Sequence, residues 1–580
     1  MSVGYAASAC TQSKSPSRFT LKWKLAGVLS WPNSITGQLY GWAGKHTVHL
    51  SEGNMMYRVS RHFASAVVIG LCIIPAIAVA ESGDSRSEWP MFGQNEQNTA
   101  SNDEERKIST SNVSRLAPKW VATTGGDVSA RAAVVGGAVY FPDFGGNLFA
   151  LDADTGAVIW QHQLSDYGLP AGTVSRTSPA VQDHTVYIGT QAGAFLLAIN
   201  ANTGDLRWKT QLDIQSGAVL TASPAVLGDV IHIGVSGVGQ EVAVGNDNVT
   251  CCSFRASEVA VNARIGAILW RTFMAPLGYT GTAIWGSNAV VDARRKSVFI
   301  GTGNNYSTPT APAYVNCILA GGTPKVCLSP DDHVESIVAL DTDSGRIKWS
   351  QRLTDGDDWN VACNKSPVGK NCPVPTGVDF DFGSAPNEFS IRLPKAHGHQ
   401  EGHRDEHQDI IGAGQKSGVY SAFDPDTGDF LWGTQVGPGG PGGGIQWGSA
   451  TDGERIYVAI ANSNHQQSAA GTAGSWSALD PTTGEILWQI PDPNGAQDIG
   501  PMTVANGVVY APSTGAATAS TANMFALDAA TGKVLWNFPS GGSVNAGAVV
   551  VNGTVYWGSG YGRVGFVGGQ NKFYAFSLGG

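Results

Sequence analysis

The residues able to do chemistry lie between positions 176 and 416. Asp357, in Asp355-Gly-Asp-Asp-Trp359, is a carboxylate in an acidic cluster beside an aromatic ring, a setting for a general base. Glu241 and Asn304, the latter in Gly301-Thr-Gly-Asn-Asn305, are oxygen donors of the kind Ca²⁺ collects. Lys416, in Gly414-Gln-Lys-Ser-Gly418, and Arg176, in Val174-Ser-Arg-Thr-Ser178, are cations in charge-poor surroundings. Each needs a partner if buried, and an anionic ligand would supply one. Trp285, in Gly281-Thr-Ala-Ile-Trp-Gly-Ser287, offers a flat face for stacking a planar ligand. Cys251 and Cys252 are adjacent. Taken singly, each has a plainer reading as a turn, a solvated loop, a surface charge or core packing. The run from His397 to His407 matches no standard metal spacing and reads as a solvated loop.

These residues must be held by the element that recurs along the chain. LFALDADTGAVIW ends at Trp160, and the same pattern returns ending at Trp208, Trp270, Trp349, Trp432, Trp488 and Trp536. An alternating apolar strand runs into Asp or Asn, whose side chain caps a tight turn. Thr/Ser-Gly then reverses the chain, glycine because positive φ is free of steric cost there. The following strand carries a Trp too large for one sheet to cover, so each sheet must dock on the next. Repeated docked sheets are a β-propeller.

An orphan, Leu116-Ala-Pro-Lys-Trp120, has the Trp strand without a preceding turn motif. Phe573-Tyr-Ala-Phe576 has the preceding strand without a following Trp. The two complete one blade and close the ring, removing free sheet edges. Inner strands are expected to start near Ala132, Ser178, Ser223, Ala283, Gly383, Gly444, Gly500 and Gly547, which makes an all-β, eight-bladed propeller. Successive Trp spacings of 40, 48, 62, 79, 83, 56 and 48 put the insertions in blades three to five. On this reading Trp285 lies on an inner strand at the channel mouth, Asn304 and Glu241 at the ends of neighbouring inner strands, and Lys416 and Arg176 in or beside inner strands.

The 75 glycines and only 14% charged residues suit short strands and tight turns. A net charge of −10 without a basic stripe argues against nucleic-acid binding. Residues 1–54 show none of the repeat and read as a non-native upstream extension. Residues 55–80 pair a basic start with the apolar run 63–80, ending Ala-Val-Ala, and read as a signal peptide with translation beginning at Met55 or Met56. Residues 81–115 then lead into the propeller of residues 116–580, with no stable membrane insertion expected after cleavage. The mature chain keeps six cysteines, an even number suited to an oxidising compartment. Cys317/Cys327 and Cys363/Cys372 are close pairs, which favours a bridge between Cys251 and Cys252 over separate thiols. No CxxCH run occurs, so covalently attached c-type haem is excluded.

Together these pieces resemble the quinoprotein alcohol dehydrogenases. NVTCCSF, WGSNAVVD, GTGNNYS, DDWNVAC and IIGAGQKSGVYSAFDPDTG are similar to the polyvinyl-alcohol dehydrogenase branch. The resemblance implies an eight-bladed propeller that binds pyrroloquinoline quinone and Ca²⁺. It implies Trp285 as the floor under the quinone, and Glu241, Asn304 and Asp357 as calcium ligands. It further implies Asp357 as catalytic base, Lys416 against the reactive quinone oxygens, and Arg176 and Thr221 at the cofactor's carboxylates. It implies that Cys251 and Cys252 belong to the same cofactor site. The implied enzyme is periplasmic, oxidises a bulky or polymeric secondary alcohol, or a fused-ring natural product alcohol, and passes electrons to a separate cytochrome c. The rival readings are a non-catalytic propeller scaffold of an outer-membrane assembly machine, which needs the repeats but not these side chains, and a metal-dependent hydrolase, for which no His/Asp site is found.

Overall fold

Eight antiparallel sheets follow one another along the chain, each the product of one repeat. The computed structural model describes residues 87–579 except 287, 393–406, 516–520, 567 and 569–570. The expected extension, the signal peptide and most of the His-rich run lie outside the described residues. Blades 1 to 7 start at the inner strands Ala133–Val135, Ala180–Gln182, Ala225–Leu227, Val290–Asp292, Asn387–Arg392, Ala450–Thr451 and Thr503–Ala505. Blade 8 is the composite: Val549–Val551, Thr554–Gly558 and Lys572–Leu578 are joined by Leu116–Thr123, which pairs antiparallel with Lys572–Leu578. Ring closure by the two ends of the propeller is thus observed.

Docking is carried by hydrogen bonds as well as apolar area. Trp160 Nε1 donates to the Ala201 carbonyl in the next blade at 2.8 Å, and Trp270 Nε1 to that of Thr342 at 2.8 Å. Trp120, Trp208, Trp349 and Trp488 repeat the bond, always to the residue after the turn Asp or Asn. Trp536 donates to the Leu116 carbonyl and so ties blade 7 to the closing strand. The turn glycine has a second task beyond its positive φ. At Gly345 (φ 68°) an added Cβ would lie 2.5 Å from the Trp270 ring, and Gly156, Gly266, Gly428, Gly484 and Gly532 meet their docking Trp in the same way. Asp152 caps its turn as expected, its Oδ1 accepting from Thr155 N at 2.8 Å and Thr155 Oγ1 at 2.7 Å.

The stretch before the closing strand forms a plug. The Pro90, Glu96, Gln97, Thr99 and Ala100 carbonyls accept from the inner-strand N–H groups of Val181, Val291, Glu388, Thr451 and Val504. Trp89 bridges Val134, and Ser101–Asn102 adds a parallel strand to blade 7. One segment thereby buckles most of the ring together at one end of the axis.

Candidate functional site

The inner strands are shorter and start later than expected, which moves several functional residues off them. Trp285 lies not on an inner strand but in the loop before Val290–Asp292. Asn304 follows the second strand of blade 4, Ser297–Gly301, and Lys416 follows the second strand of blade 5, His407–Gly414. Glu241 sits on a short helix, Val238–Ala243, inserted after the second strand of blade 3. In blade 4 three ladder pairs make up the inner strand, and the chain before it, with Trp285, is released to line the site.

Lys416 is the hub. Its buried Nζ donates to Asp379 Oδ1 at 2.8 Å and Asp381 Oδ2 at 2.9 Å. Asp381 Oδ2 also accepts from Trp285 Nε1 at 2.8 Å, and Asp381 Oδ1 from the Asn304 main-chain N–H at 2.8 Å. The Lys416 ammonium stands 5.3 Å from the centre of the Trp285 ring, whose edge rests against Gly383. The Asn304 side-chain nitrogen is committed to the carbonyls of Asn305 and Trp359, so only its Oδ1 remains to ligate.

Asp357 stands one layer behind. Its two oxygens accept the main-chain N–H groups of Asp379 (3.0 Å) and Phe380 (2.9 Å), and no ion pair joins it to Lys416 among the described residues. The carboxylates in contact with the lysine are Asp379 and Asp381, which the sequence reading passed over. Their signal was acid at every second position within Val378-Asp-Phe-Asp-Phe382, a spacing that can place both acids on one side of extended chain.

Negative charge exceeds positive here. Burial first, then Asp381, pushes Glu241 up to about 8 while Lys416 opposes the rise. Burial raises Asp379 and Glu335 well above the usual carboxylate range, and raises Asp357 against its two main-chain hydrogen bonds. Burial lowers the lysine, but Asp379 and Asp381 outweigh it and leave Lys416 above its ordinary value. Asp379 Oδ2 and Glu335 Oε1 are buried and accept no hydrogen bond. Oxygen donors in excess of cations fit a hard divalent ion. No three His, Cys, Asp or Glu side chains among the described residues converge enough to hold one alone. An amide oxygen such as that of Asn304 would have to complete the set.

Beside this cluster lies a small axial cavity of about 20 Å³. Arg176, Thr221, Ser178, Ser223, Trp447 and Arg131 line it, with Phe92 of the plug. The Arg176 guanidinium lies 3.5 Å from the Trp447 ring centre and donates to Tyr561 Oη at 2.7 Å. Trp447 in turn meets Trp285 edge-on at 4.9 Å, which links cavity and hub. Neither Arg176 nor Arg131 forms an ion pair among the described residues, and Thr221 Oγ1 is buried without a hydrogen-bond partner. Arg131 spends its guanidinium on the Phe92 and Met502 carbonyls and Thr503 Oγ1, which leaves Arg176 and the orphaned Thr221 hydroxyl to face a carboxylate.

Cys251 and Cys252 are bridged, as are Cys317–Cys327 and Cys363–Cys372. The vicinal pair touches the Tyr306 carbonyl at 3.6 and 3.7 Å, and Cys252 packs in the same apolar cluster as Trp285. The structure therefore brings Trp285, Asn304 and Lys416 together around Asp381, with Glu241 within its electrostatic reach.

Comparison with known proteins follows the same outline. Residues 95–305 and 415–571, well over half of the chain, match a family model described as outer membrane protein assembly factor BamB. The gap leaves out Asp357, Asp379 and Asp381. The chain is similar to a polyvinylalcohol dehydrogenase of Pseudomonas sp., 28% identical over 67% of this chain and 56% of that one. It is similar to another from Sphingopyxis sp. (strain 113P3), 28% identical over 66% of this chain and 55% of that one. The chain thus spans a little over half the length of these curated relatives. Among solved structures, quinohemoprotein alcohol dehydrogenase ADHIIG from Pseudomonas putida HK5 superposes with a TM-score of 0.64 at 18% identity, covering 85% of this chain and 80% of that one. That likeness concerns the fold.

Proposed function

This chain belongs to the quinoprotein alcohol dehydrogenase family of repeat propellers, and from that premise we propose that it is a dehydrogenase dependent on pyrroloquinoline quinone and Ca²⁺. Its substrate is a bulky or polymeric secondary alcohol resembling polyvinyl alcohol, oxidised to the ketone in the periplasm, with a separate cytochrome c as electron acceptor. The observation that carries this reading is the contact set of Lys416, Asp381 and Trp285 beside the small cavity lined by Arg176 and Thr221.

When bound, the quinone supplies the two-electron oxidant and Ca²⁺ the Lewis acid. The chain's own residues do the rest. Trp285 floors the planar ligand, while Arg176 and Thr221 hold its carboxylates. Glu241, Asn304 and Asp381 supply oxygens to the ion. Asp381 is the base that takes the hydroxyl proton, because it is the carboxylate held by lysine, indole and main chain at once. Lys416 is its ion-pair partner. Asp357 positions it by fixing the N–H groups of Asp379 and Phe380. Trp285 and Trp447 exclude water from one side. The insertions of blades 3 to 5 shape the entry for a large alcohol.

An assembly scaffold would need only the repeats, and the acidic segment carrying the site lies in the part that the BamB-described model passes over. The test is protein starting at Glu81, expressed without quinone, then given quinone and Ca²⁺ and assayed by reduction of an acceptor dye. The panel includes polyvinyl alcohol, small secondary alcohols and a fused-ring alcohol. Turnover that requires both additions is expected. No quinone binding and no turnover with any alcohol would leave the scaffold reading in its place.

A further inference from the structure

Behind the axial site, three buried side chains present oxygens that nothing satisfies. Asn305 and Asp332 are fully buried and Asp358 nearly so. Asn305 Nδ2 donates to Asp332 Oδ2 at 3.0 Å, and the side chains of Asn305 and Thr308 approach the Asp358 carboxylate. One amide thus lies within reach of both carboxylates. The Asn305 amide oxygen and one oxygen of each carboxylate (Asp332 Oδ1 and Asp358 Oδ1) are buried with no hydrogen-bond partner. A single orphan oxygen is an ordinary finding, but three on side chains joined through one amide make a donor set.

Charge points the same way. The nearest cation in this neighbourhood, Arg352, spends Nη2 on the main-chain carbonyls of Ser329 and Asp332, and Nη1 faces Asp355 at 3.6 Å. It makes no ion pair with the carboxylate of Asp332 or Asp358 among the described residues. Two buried carboxylates that no ion pair joins are costly, and a bound cation lowers that cost. The backbone holds the donors in place: Asn305 N donates to the Asp357 carbonyl at 2.9 Å, Trp359 N to the Asn305 carbonyl at 2.8 Å, and Asn305 bridges Asp358.

We propose that Asn305, Asp332 and Asp358 form a second divalent-cation site, of the calcium type, separate from the one at Lys416. All its donors are hard oxygens, and the Thr308 hydroxyl, carbonyls or water complete the six to eight that Ca²⁺ takes. Its role is structural. Asp332 lies just beyond the insertion closed by Cys317–Cys327, and Asp358 lies beside Asp357, whose carboxylate holds the N–H groups of Asp379 and Phe380. The ion would tie the blade 4 insertion to the loop that orders the acids around Lys416.

The test separates the two ion sites. Quinone-free Asp381→Asn protein, stripped with chelator and equilibrated at about 10 μM free Ca²⁺, is expected to retain one calcium per chain by plasma mass spectrometry. Adding Asp332→Asn should abolish that retention. A second measurement needs no further variant: Tb³⁺ added to the stripped Asp381→Asn protein should give emission sensitised through Tyr279 and Tyr314, whose hydroxyls feel both carboxylates, and Ca²⁺ should displace it. Overturning results are no retained calcium and no sensitised emission in Asp381→Asn, or calcium retention unchanged by Asp332→Asn in a folded protein.

Discussion

Replacing Lys416 by Met keeps the length of the side chain and removes the one cation that, among the described residues, pairs with both Asp379 and Asp381. Lys416 Nζ lies 2.8 and 2.9 Å from Asp379 and Asp381, and all three side chains are a tenth exposed or less. Breaking a buried pair by deleting one partner costs about 3–5 kcal/mol, because the remaining charge has no compensation. Here the acids can escape by taking up protons, so the loss must depend on pH. Without the lysine the folded value of Asp379, already raised by burial, rises further above the unfolded one of about 4. A raised folded value means stability that is present below the unfolded value and is lost as pH rises through the folded one. The variant should therefore lose the full ~3–5 kcal/mol at pH 8 and nearer ~1 kcal/mol at pH 5, the worth of the missing hydrogen bonds. The assay is urea unfolding followed by tryptophan fluorescence at both pH values, with chelator present. Asp379→Asn in the Lys416→Met background should recover part of the loss at pH 8. A loss below ~1 kcal/mol that is the same at both pH values would refute the reasoning.

Three further outcomes are expected. Gly345→Ala should destabilise by roughly 2–3 kcal/mol, since it combines a φ of 68° with a Cβ driven into the Trp270 ring; thermal unfolding checks it, and an effect within about 0.5 kcal/mol would count against the docking geometry. His232 is buried against Trp270 and burial lowers it to about 4, so stability present above its unfolded value of 6.5 is lost as pH falls toward 4, by about 3 kcal/mol. His232→Phe should flatten that part of the stability-against-pH curve. Trp285→Phe keeps a stacking face but loses the donor to Asp381, so quinone affinity measured by fluorescence quenching should fall about tenfold while the fold survives.

The repeat was legible because its parts are local: a turn cap, a positive-φ glycine and a Trp at fixed spacing need no knowledge of the rest. Even there the glycine carried a second constraint, room for the neighbour's indole, which belongs to the next blade and so is invisible within one repeat. Residues 89–102 read as a mere lead-in because the plug works through main-chain carbonyls, and any residue can offer one. The inner strands were misplaced by up to seven residues, at Ala283 against Val290, since strands of two or three residues leave almost no periodicity to find. Trp285, Lys416 and Asn304 were found by type and setting. Asp379 and Asp381 were missed because they sit in an insertion where alternating Asp and Phe carry no turn signal, and their importance appears only once Lys416 folds over them.

The central claim is that Asp381, held by Lys416 and Trp285, is the base, and that Asp357 acts through it. Protein reconstituted with quinone and Ca²⁺ should be compared as wild type, Asp381→Asn and Asp357→Asn, reading kcat with the best alcohol of the panel. The account predicts a fall of about 10²–10⁴ for Asp381→Asn, as for loss of a general base, with bound quinone retained. It predicts a fall of about tenfold or less for Asp357→Asn, which keeps one oxygen for the Asp379 and Phe380 N–H groups. The reverse order, Asp357→Asn inactive and Asp381→Asn near wild type, would contradict it.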